Sequence, residues 1–279
     1  MPGVRVVTDS ASDLPADLAA QHCVDVVPLT IRFGDEEFVD RRDLSPDEFW
    51  ERAARSRTLP QTAAPSPGAF QDVFRRAAED GADGVVCITL SADLSATFQS
   101  AQTAAEAVEG TMPVRVLDSR LVTMGLGLVV LEAAGQAAAG GGLEEVVVAA
   151  EAAMARTRLY GTLDTLENLK KGGRIGNAQA LIGSMLSVKP VVEVRNGRVE
   201  PESRQRTRAK AFRHLADKVA AAPSVERVAV VHSQAPDLDQ FLDLLSPRVP
   251  REEIVVADLG AVVGTHTGPR TVGVAFQTG

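Results

Sequence analysis

The chain has 279 residues, with 37 acidic against 29 basic side chains, a net charge near -8, one tryptophan, one tyrosine and nine phenylalanines. That length allows one large or two ordinary domains at roughly 150 residues each. An acidic chain lacks the basic footprint of a duplex nucleic-acid binder, and so few aromatics leave no base-stacking platform, so no nucleic-acid partner is expected.

In chain order, Val4 to Thr8 is a short β-branched run leading into TDSASDLP. In that loop Ser12 or Asp13 can cap a helix running through Gln21, with Pro15 just inside its start. Val24 to Val27 and Leu29 to Phe33 follow as strands, with a turn near Gly34. Ser45-Pro46-Asp47-Glu48 combines a cap, a first-turn proline and two acids, and begins a helix to about Arg55. Ser66-Pro67 repeats that device for a helix to Glu79. Gly84 to Leu90 is nearly continuously apolar, as a strand covered on both faces of a parallel sheet requires. Next come a helix from Ser95 to about Val108, a strand from Val114 to Leu117, and a long helix to Ala139. Its most apolar part, Leu121 to Leu131, is too short to span ~30 Å of hydrocarbon and reads as a buried helix.

This alternation predicts an α/β fold whose amino-terminal part is a doubly wound, mainly parallel sheet. Such sheets place binding loops beyond the carboxyl ends of their strands. Three polar clusters fit that position: Asp9-Ser10, Ser91 to Thr97, and Asp118-Ser119. Gly140-Gly141-Gly142 marks the expected boundary between an α/β domain at 1–142 and an α+β domain with a mixed sheet at 143–279. The second part reads as a helix (Leu143 to Ala155), a strand (Leu159 to Gly161), a helix (Leu163 to Leu169) and an apolar helix (Ala178 to Leu186). A hairpin follows, Val188 to Val194 with Gly197 to Glu202, turned at Asn196-Gly197. Helices at Thr207 to Ala220 and Pro236 to Leu245 then alternate with strands at Val225 to His232, Glu252 to Asp258 and Thr271 to Phe276.

Catalytic signatures are missing: there is no GxSxG elbow, Walker loop, HExxH, or GxGxxG after the first strand. Four dispersed histidines give no metal-ligand spacing, so neither a catalytic residue nor a metal is expected. Cys23 and Cys87 form no Cys-x-x-Cys and read as small hydrophobes in a reducing cytoplasm. The opening MPGVRVVTDSASD contains no apolar signal-peptide core, which agrees with that compartment.

His266 lies in GAVVGTHTGP, read as a loop between two strands fixed by Gly264, Gly268 and Pro269. It either contacts an anion or carboxylate, or hydrogen-bonds only locally. Thr62, in TAAPSP just before a helix, is a ligand contact or a plain turn threonine. Ser95 sits where unpaired N–H groups and the helix dipole favour a bound anion, and where a simple N-cap serine is equally at home. Two basic groups stand out on an acidic chain: Lys170-Lys171-Gly172-Gly173-Arg174, and Arg204, Arg206, Arg208 and Lys210. Each is a solvated basic surface, or a docking patch for an acidic partner or for phosphates.

TDSASDLP, TAAPSP, SADLSATFQSA, LDTLENLKKGGRIG, QRTRAKA and GTHTGP, in that order, together resemble the DegV family of bacterial fatty-acid-binding proteins over essentially the whole chain. The resemblance implies two α/β-type domains holding one long-chain fatty acid, tail buried and carboxylate at the interdomain cleft. It implies a non-catalytic carrier without a cofactor, which presents the carboxylate to a separate ATP-dependent fatty acid kinase; the sequence leaves the oligomeric state open, with a monomer as the default expectation. The acyl-phosphate so made would serve phospholipid synthesis, and transient contact with a membrane surface is compatible with that role. By the same resemblance, Thr62 and Ser95 donate hydrogen bonds to the carboxylate, and His266 completes the polar network. Arg174 lies near the mouth, Arg206 and then Arg208 face the kinase or its phosphates, and Asp9, Ser10 and Ser119 shape the first domain's side of the cleft. Thr97 matches the family pattern, whereas Ala96 stands where glycine is usual.

The physics of such a ligand is consistent. Each buried methylene contributes about 0.8 kcal/mol, while an unpaired buried carboxylate costs several kcal/mol and so requires donors. Leu121 to Leu131 and Ala180 to Val194 supply apolar walls. Two other readings remain at this stage: a stand-alone acyl- or phosphate-transfer enzyme, and a regulatory protein with a structural lipid.

Overall fold

The computed structural model describes residues 3–182 and 188–279. Among these the first half runs β1 (Val4–Asp9), α1 (Ala16–Gln21), β2 (Val24–Val27), β3 (Thr30–Phe33), β4 (Glu36–Val39), α2 (Pro46–Arg55), β5 (Gln61–Ala63), α3 (Pro67–Glu79), β6 (Gly84–Thr89), α4 (Thr97–Ala107), β7 (Val114–Asp118) and α5 (Thr123–Ala138). The rest runs α6 (Leu143–Arg156), β8 (Thr157–Thr162), α7 (Glu167–Lys171), β9 (Lys189–Arg195), β10 (Arg198–Gln205), α8 (Arg208–Ala220), β11 (Arg227–His232), α9 (Leu238–Leu245), β12 (Ile254–Asp258), α10 (Ala261–Thr267) and β13 (Val272–Gln277).

Local chemistry explains the firmest elements. Glu48 N–H donates to Ser45 Oγ at 3.3 Å and Ser45 N–H donates to Glu48 Oε2 at 2.9 Å, closing the capping box on α2. Ser66 caps α3 through the Ala69 N–H, ahead of Pro67. Every residue of β6 is buried. The β9–β10 hairpin turns at Asn196 (φ 53°) and Gly197 (φ 82°), the doubly left-handed pair of a type I′ turn.

Strands β2-β1-β6-β7 form a parallel four-stranded sheet. A six-stranded sheet, β10-β9-β8-β13-β11-β12, is mixed: β11 and β12 pair parallel and the other neighbours antiparallel. The fold is therefore the expected α/β class with a parallel sheet and a mixed one. Helix α5 lies between the two sheets, touching β1 and β6 on one side and β8, β11 and β13 on the other. Its first nine residues, Thr123 to Leu131, are all buried, as the part of a helix with no solvent face must be, whereas Glu132 near its end is partly exposed and pairs with Arg156 and Arg227. One hydrophobic core accordingly runs from Val6 and Ile88 through Leu126 and Val130 to Val231 and Ala275. Helix α6 packs on α5 and on β6. Among the described residues no helix is long and apolar enough to cross a membrane.

Several elements differ from the sequence reading. His266 is not in a loop: it lies in the last turn of α10, which Gly268 (φ 81°) terminates. Valine, threonine and glycine are poor helix formers, so packing of Gly264 against Phe49 and Trp50 holds a helix that propensity disfavours. Thr62 is not in a turn but on β5, in a small antiparallel sheet, β4-β3-β5, of which only β3 was read from sequence. Helix α4 begins at Thr97, two residues after Ser95. Helix α1 has no side-chain cap, because Asp13 points elsewhere. Of the apolar helix expected at Ala178 to Leu186, Gly176–Leu181 form a 3-10 turn and residues 183–187 lie outside the described residues.

Candidate functional site

A cavity of about 310 Å³ lies where β5, the Ser91–Thr97 loop, the β9–β10 hairpin and α10 meet. Its size is at the lower end of small-molecule pockets. The lining is largely aliphatic, with Leu90, Leu163, Val192, Val199, Val262 and Val263 prominent. Against these stand a few polar side chains: Thr62, Ser95, Arg174, His266 and Thr267. Four of the residues singled out from sequence thus share one cavity.

The polar groups form a connected set. Thr62 Oγ1 and His266 Nε2 are 3.0 Å apart, joining β5 to α10. Burial, aided by the positive charge of Arg174, lowers the His266 imidazole to about 4, so the ring is neutral at pH 7. The positive charge facing the cavity is therefore that of Arg174. Its Nε donates to Leu94 O at 3.1 Å and its Nη1 to Gly172 O at 2.7 Å. Among the described residues it has no carboxylate partner, which leaves its charge uncompensated. Leu94 adjoins Ser95, whose Oγ lies 2.9 Å from Thr97 Oγ1 and accepts the Thr97 N–H at 3.3 Å. Ser95, one residue before the N-cap Ala96, therefore takes up the first N–H of α4 while lining the cavity, beside buried Thr97.

Asp9 and Ser10 act one layer further in. Leu90 N–H donates to Asp9 Oδ2 at 2.7 Å and Leu29 N–H donates to Ser10 Oγ at 3.1 Å, and both leucines line the cavity. Burial, opposed by the Leu90 and Ala11 N–H donors, raises the Asp9 carboxyl to about 7. Ser119 lies elsewhere: it accepts the Leu121 N–H at 3.0 Å and borders a separate polar cleft with Arg120 and Glu193. Arg206 is exposed on the β10–α8 connection. Arg208 is engaged internally, its side chain 10% exposed, with Nε donating to Asp237 Oδ2 at 2.5 Å and Nη1 donating to Arg270 O at 2.6 Å. Its guanidinium also stacks on Phe212, which leaves little of it for a partner.

Other contributors were not read from sequence. A Cβ on Gly172 would sit 2.2 Å from His266 Nδ1, so the first glycine of KKGGR makes room for the imidazole. Asn168 Nδ2 donates to Thr265 O at 3.1 Å and ties α7 to α10. The aliphatic wall also differs from the expected one. From Leu121 to Leu131 only Val122 reaches the cavity, because α5 spends its apolar surface between the sheets; from Ala180 to Val194, Val192 and Val194 do. Among the described residues, no three metal-ligating side chains converge.

The family model described as "Uncharacterised protein, DegV family" matches residues 3–279. This chain belongs to the DegV family. A DegV domain-containing protein of Streptomyces coelicolor is 43% identical over 99% of this chain and 98% of its own. A Thermus thermophilus DegV-family structure described as fatty-acid binding superposes with a TM-score of 0.91 at 34% identity, covering 99% of each chain. A stearic-acid-binding protein from Eubacterium ventriosum superposes at 0.86 with 26% identity, covering 99% of this chain and 98% of that one. The DegV two-domain architecture of these neighbours agrees with the pairing of a parallel and a mixed sheet seen here.

Proposed function

We propose that this DegV-family protein binds one long-chain fatty acid, with its tail among the aliphatic side chains of the cavity and its carboxylate on Thr62, Ser95 and Arg174, beside His266. The observation that carries the reading is the Thr62–His266 contact inside an otherwise aliphatic cavity, with Arg174 as an uncompensated cation beside it. Two hydroxyls and a neutral imidazole offer hydrogen bonds to a carboxylate, Arg174 offers the opposite charge, and the aliphatic wall takes the chain at about 0.8 kcal/mol per methylene. On a division into 1–142 and 143–279, Thr62, Ser95 and Leu90 belong to the first unit and Arg174, Val192 and His266 to the second. The ligand would then lie at the domain interface. The fatty-acid-binding relatives support this reading.

The protein's role in this proposal is to carry, as a cytoplasmic monomer without cofactor or catalysis of its own. It presents the carboxylate to a separate ATP-dependent fatty acid kinase, with exposed Arg206 as the contact for that partner or its phosphates. The test is native mass spectrometry of the purified chain, followed by organic extraction and addition of palmitate. One fatty acid per chain, exchangeable with palmitate, is the expected result. A chain that emerges empty and takes up no palmitate overturns the reading.

A further inference from the structure

Helix α10 carries His266, Val262 and Val263 to the cavity, and its amino end is held by a side chain from the far end of the sequence. Gly260, the residue before the helix, has no capping side chain. Its N–H donates to Asp13 Oδ1 at 2.9 Å, across 247 positions. The same oxygen accepts from Arg41 Nη2 at 3.1 Å, while Arg41 Nη1 donates to Leu14 O at 3.3 Å. A Cβ on Gly260 would meet Asp13 Oδ1 at 2.8 Å and Arg41 Nη2 at 3.3 Å, so the approach requires glycine. The carboxylate, 1% exposed, stands at the positive end of α10, where it complements the unpaired N–H groups.

The backbone around this pair is strained. Asp13 (φ 52°), Arg41 (φ 61°) and Thr123 (φ 49°) are all left-handed, and they come from three separate segments. Aspartate tolerates that region, but arginine seldom enters it and a β-branched threonine there is an outlier. Thr123 is the first residue of α5 and its side chain lies beside the Asp13 carboxylate. Such strain persists where surrounding structure over-determines it, and it gathers at functional positions. Here the strained residues meet at one partly buried ion pair that touches the start of a cavity-lining helix.

Helix α10 is seven residues of poor helix formers, so its own sequence does not fix where it lies. Thr62, in contrast, is fixed by the pairing of β5 with β3 in the amino-terminal half. We infer that the Asp13 Oδ1 acceptor on the Gly260 N–H, braced by Arg41, is a positioning element that sets α10, and with it His266, against Thr62. The effect on lipid retention rests on the function proposed above, whereas the effect on His266 does not.

The test uses the full chain with Asp13→Ala, which removes the acceptor, and Asp13→Asn, which keeps Oδ1 as an acceptor for the Gly260 N–H. The first readout is His266 titration by NMR, which needs no lipid. In Asp13→Ala the imidazole is expected to move from about 4 up towards 6.5, with Asp13→Asn remaining close to wild type. The second readout is palmitate affinity, expected to fall about tenfold or more in the alanine variant and within about threefold of wild type in the asparagine variant. A folded Asp13→Ala protein in which His266 titrates as in wild type overturns the inference. So does an asparagine variant as impaired as the alanine one. A wild-type chain that binds no palmitate overturns the lipid reading alone, since the His266 titration still decides the positioning role. Should Asp13→Ala fail to fold, amide exchange in the wild type decides. Gly260 is expected to be protected together with the α10 amides, and a Gly260 amide exchanging orders of magnitude faster than those overturns the inference.

Discussion

Thr62 Oγ1 and His266 Nε2 meet at 3.0 Å across 204 residues of sequence, and the contact joins a strand of the amino-terminal half to a helix of the carboxy-terminal half. Thr62→Val keeps the β-branched shape that β5 favours and removes the hydroxyl. Palmitate binding should weaken about tenfold, ~1.4 kcal/mol, while the unfolding midpoint changes little. Calorimetric titration and a denaturation curve check both. Equal affinity in the variant would remove Thr62 from the carboxylate site.

His266 also makes stability pH-dependent. Its folded imidazole is held at about 4, below its ordinary 6.5, so between those values the unfolded chain binds the extra proton. Its contribution is therefore complete above pH 6.5 and is lost as pH falls through about 4. Urea midpoints of wild type and His266→Gln at pH 7 and pH 4.5 should show a steeper acid loss in wild type. Parallel pH profiles would contradict the burial of a neutral ring.

Asp9 works in the opposite sense. Its folded carboxyl is raised to about 7 from 3.8, and that of Asp40 to about 6, burial being the main cause in both. The folded state holds these protons more tightly, so their contribution is complete below pH 3.8 and declines as pH rises through 6 and 7. In Asp9→Asn that decline should be reduced, on top of a constant cost of about 1–3 kcal/mol for leaving the Leu90 or Ala11 N–H facing an amide NH₂. Denaturation at pH 5 and pH 8.5 separates the constant part from the titrating one.

Filling the cavity should block the ligand without unfolding the chain. Val192 is buried on β9 and lines the cavity. Overpacking a tight core costs about 1–3 kcal/mol, but in Val192→Phe the added ring can enter the existing space. Loss of co-purified lipid with a melting temperature close to wild type is expected. Retention of a full complement of fatty acid would place the chain's tail elsewhere.

The two neighbouring arginines should separate cleanly. Arg206→Ala is expected to retain fatty acid and to slow kinase-dependent phosphorylation. Arg208→Ala should instead lower the unfolding midpoint, because Asp237, whose carboxyl Arg208 holds below its usual range, and Asp164 lose a cation in contact. Parallel assays of retention, phosphorylation and urea denaturation distinguish them, and equal effects in all three would remove the distinction.

Elements whose signals are local could be read from the sequence. Ser45-Pro46-Asp47-Glu48 carries its own cap, the apolar run from Gly84 needs cover on both faces, and Asn196-Gly197 accepts the left-handed turn a hairpin requires. The parallel and mixed sheets follow from such signals, whereas Thr62, Ser95, Arg174 and His266 each allow a plain local role as well as a ligand contact, and it is the resemblance to a family that joins them into one site. Tertiary structure alone decided how they are held. His266 lies on a helix because Gly264 packs on Phe49 and Trp50, Thr62 lies on a strand because β3 pairs with it, and Arg208 turns inward because Asp237 is beside it. Each of these depends on partners far along the chain. A local pattern encodes the preferences of a segment, but a buried ion pair, a neutral imidazole or a helix of poor formers exists only when distant segments supply the contacts that outweigh those preferences.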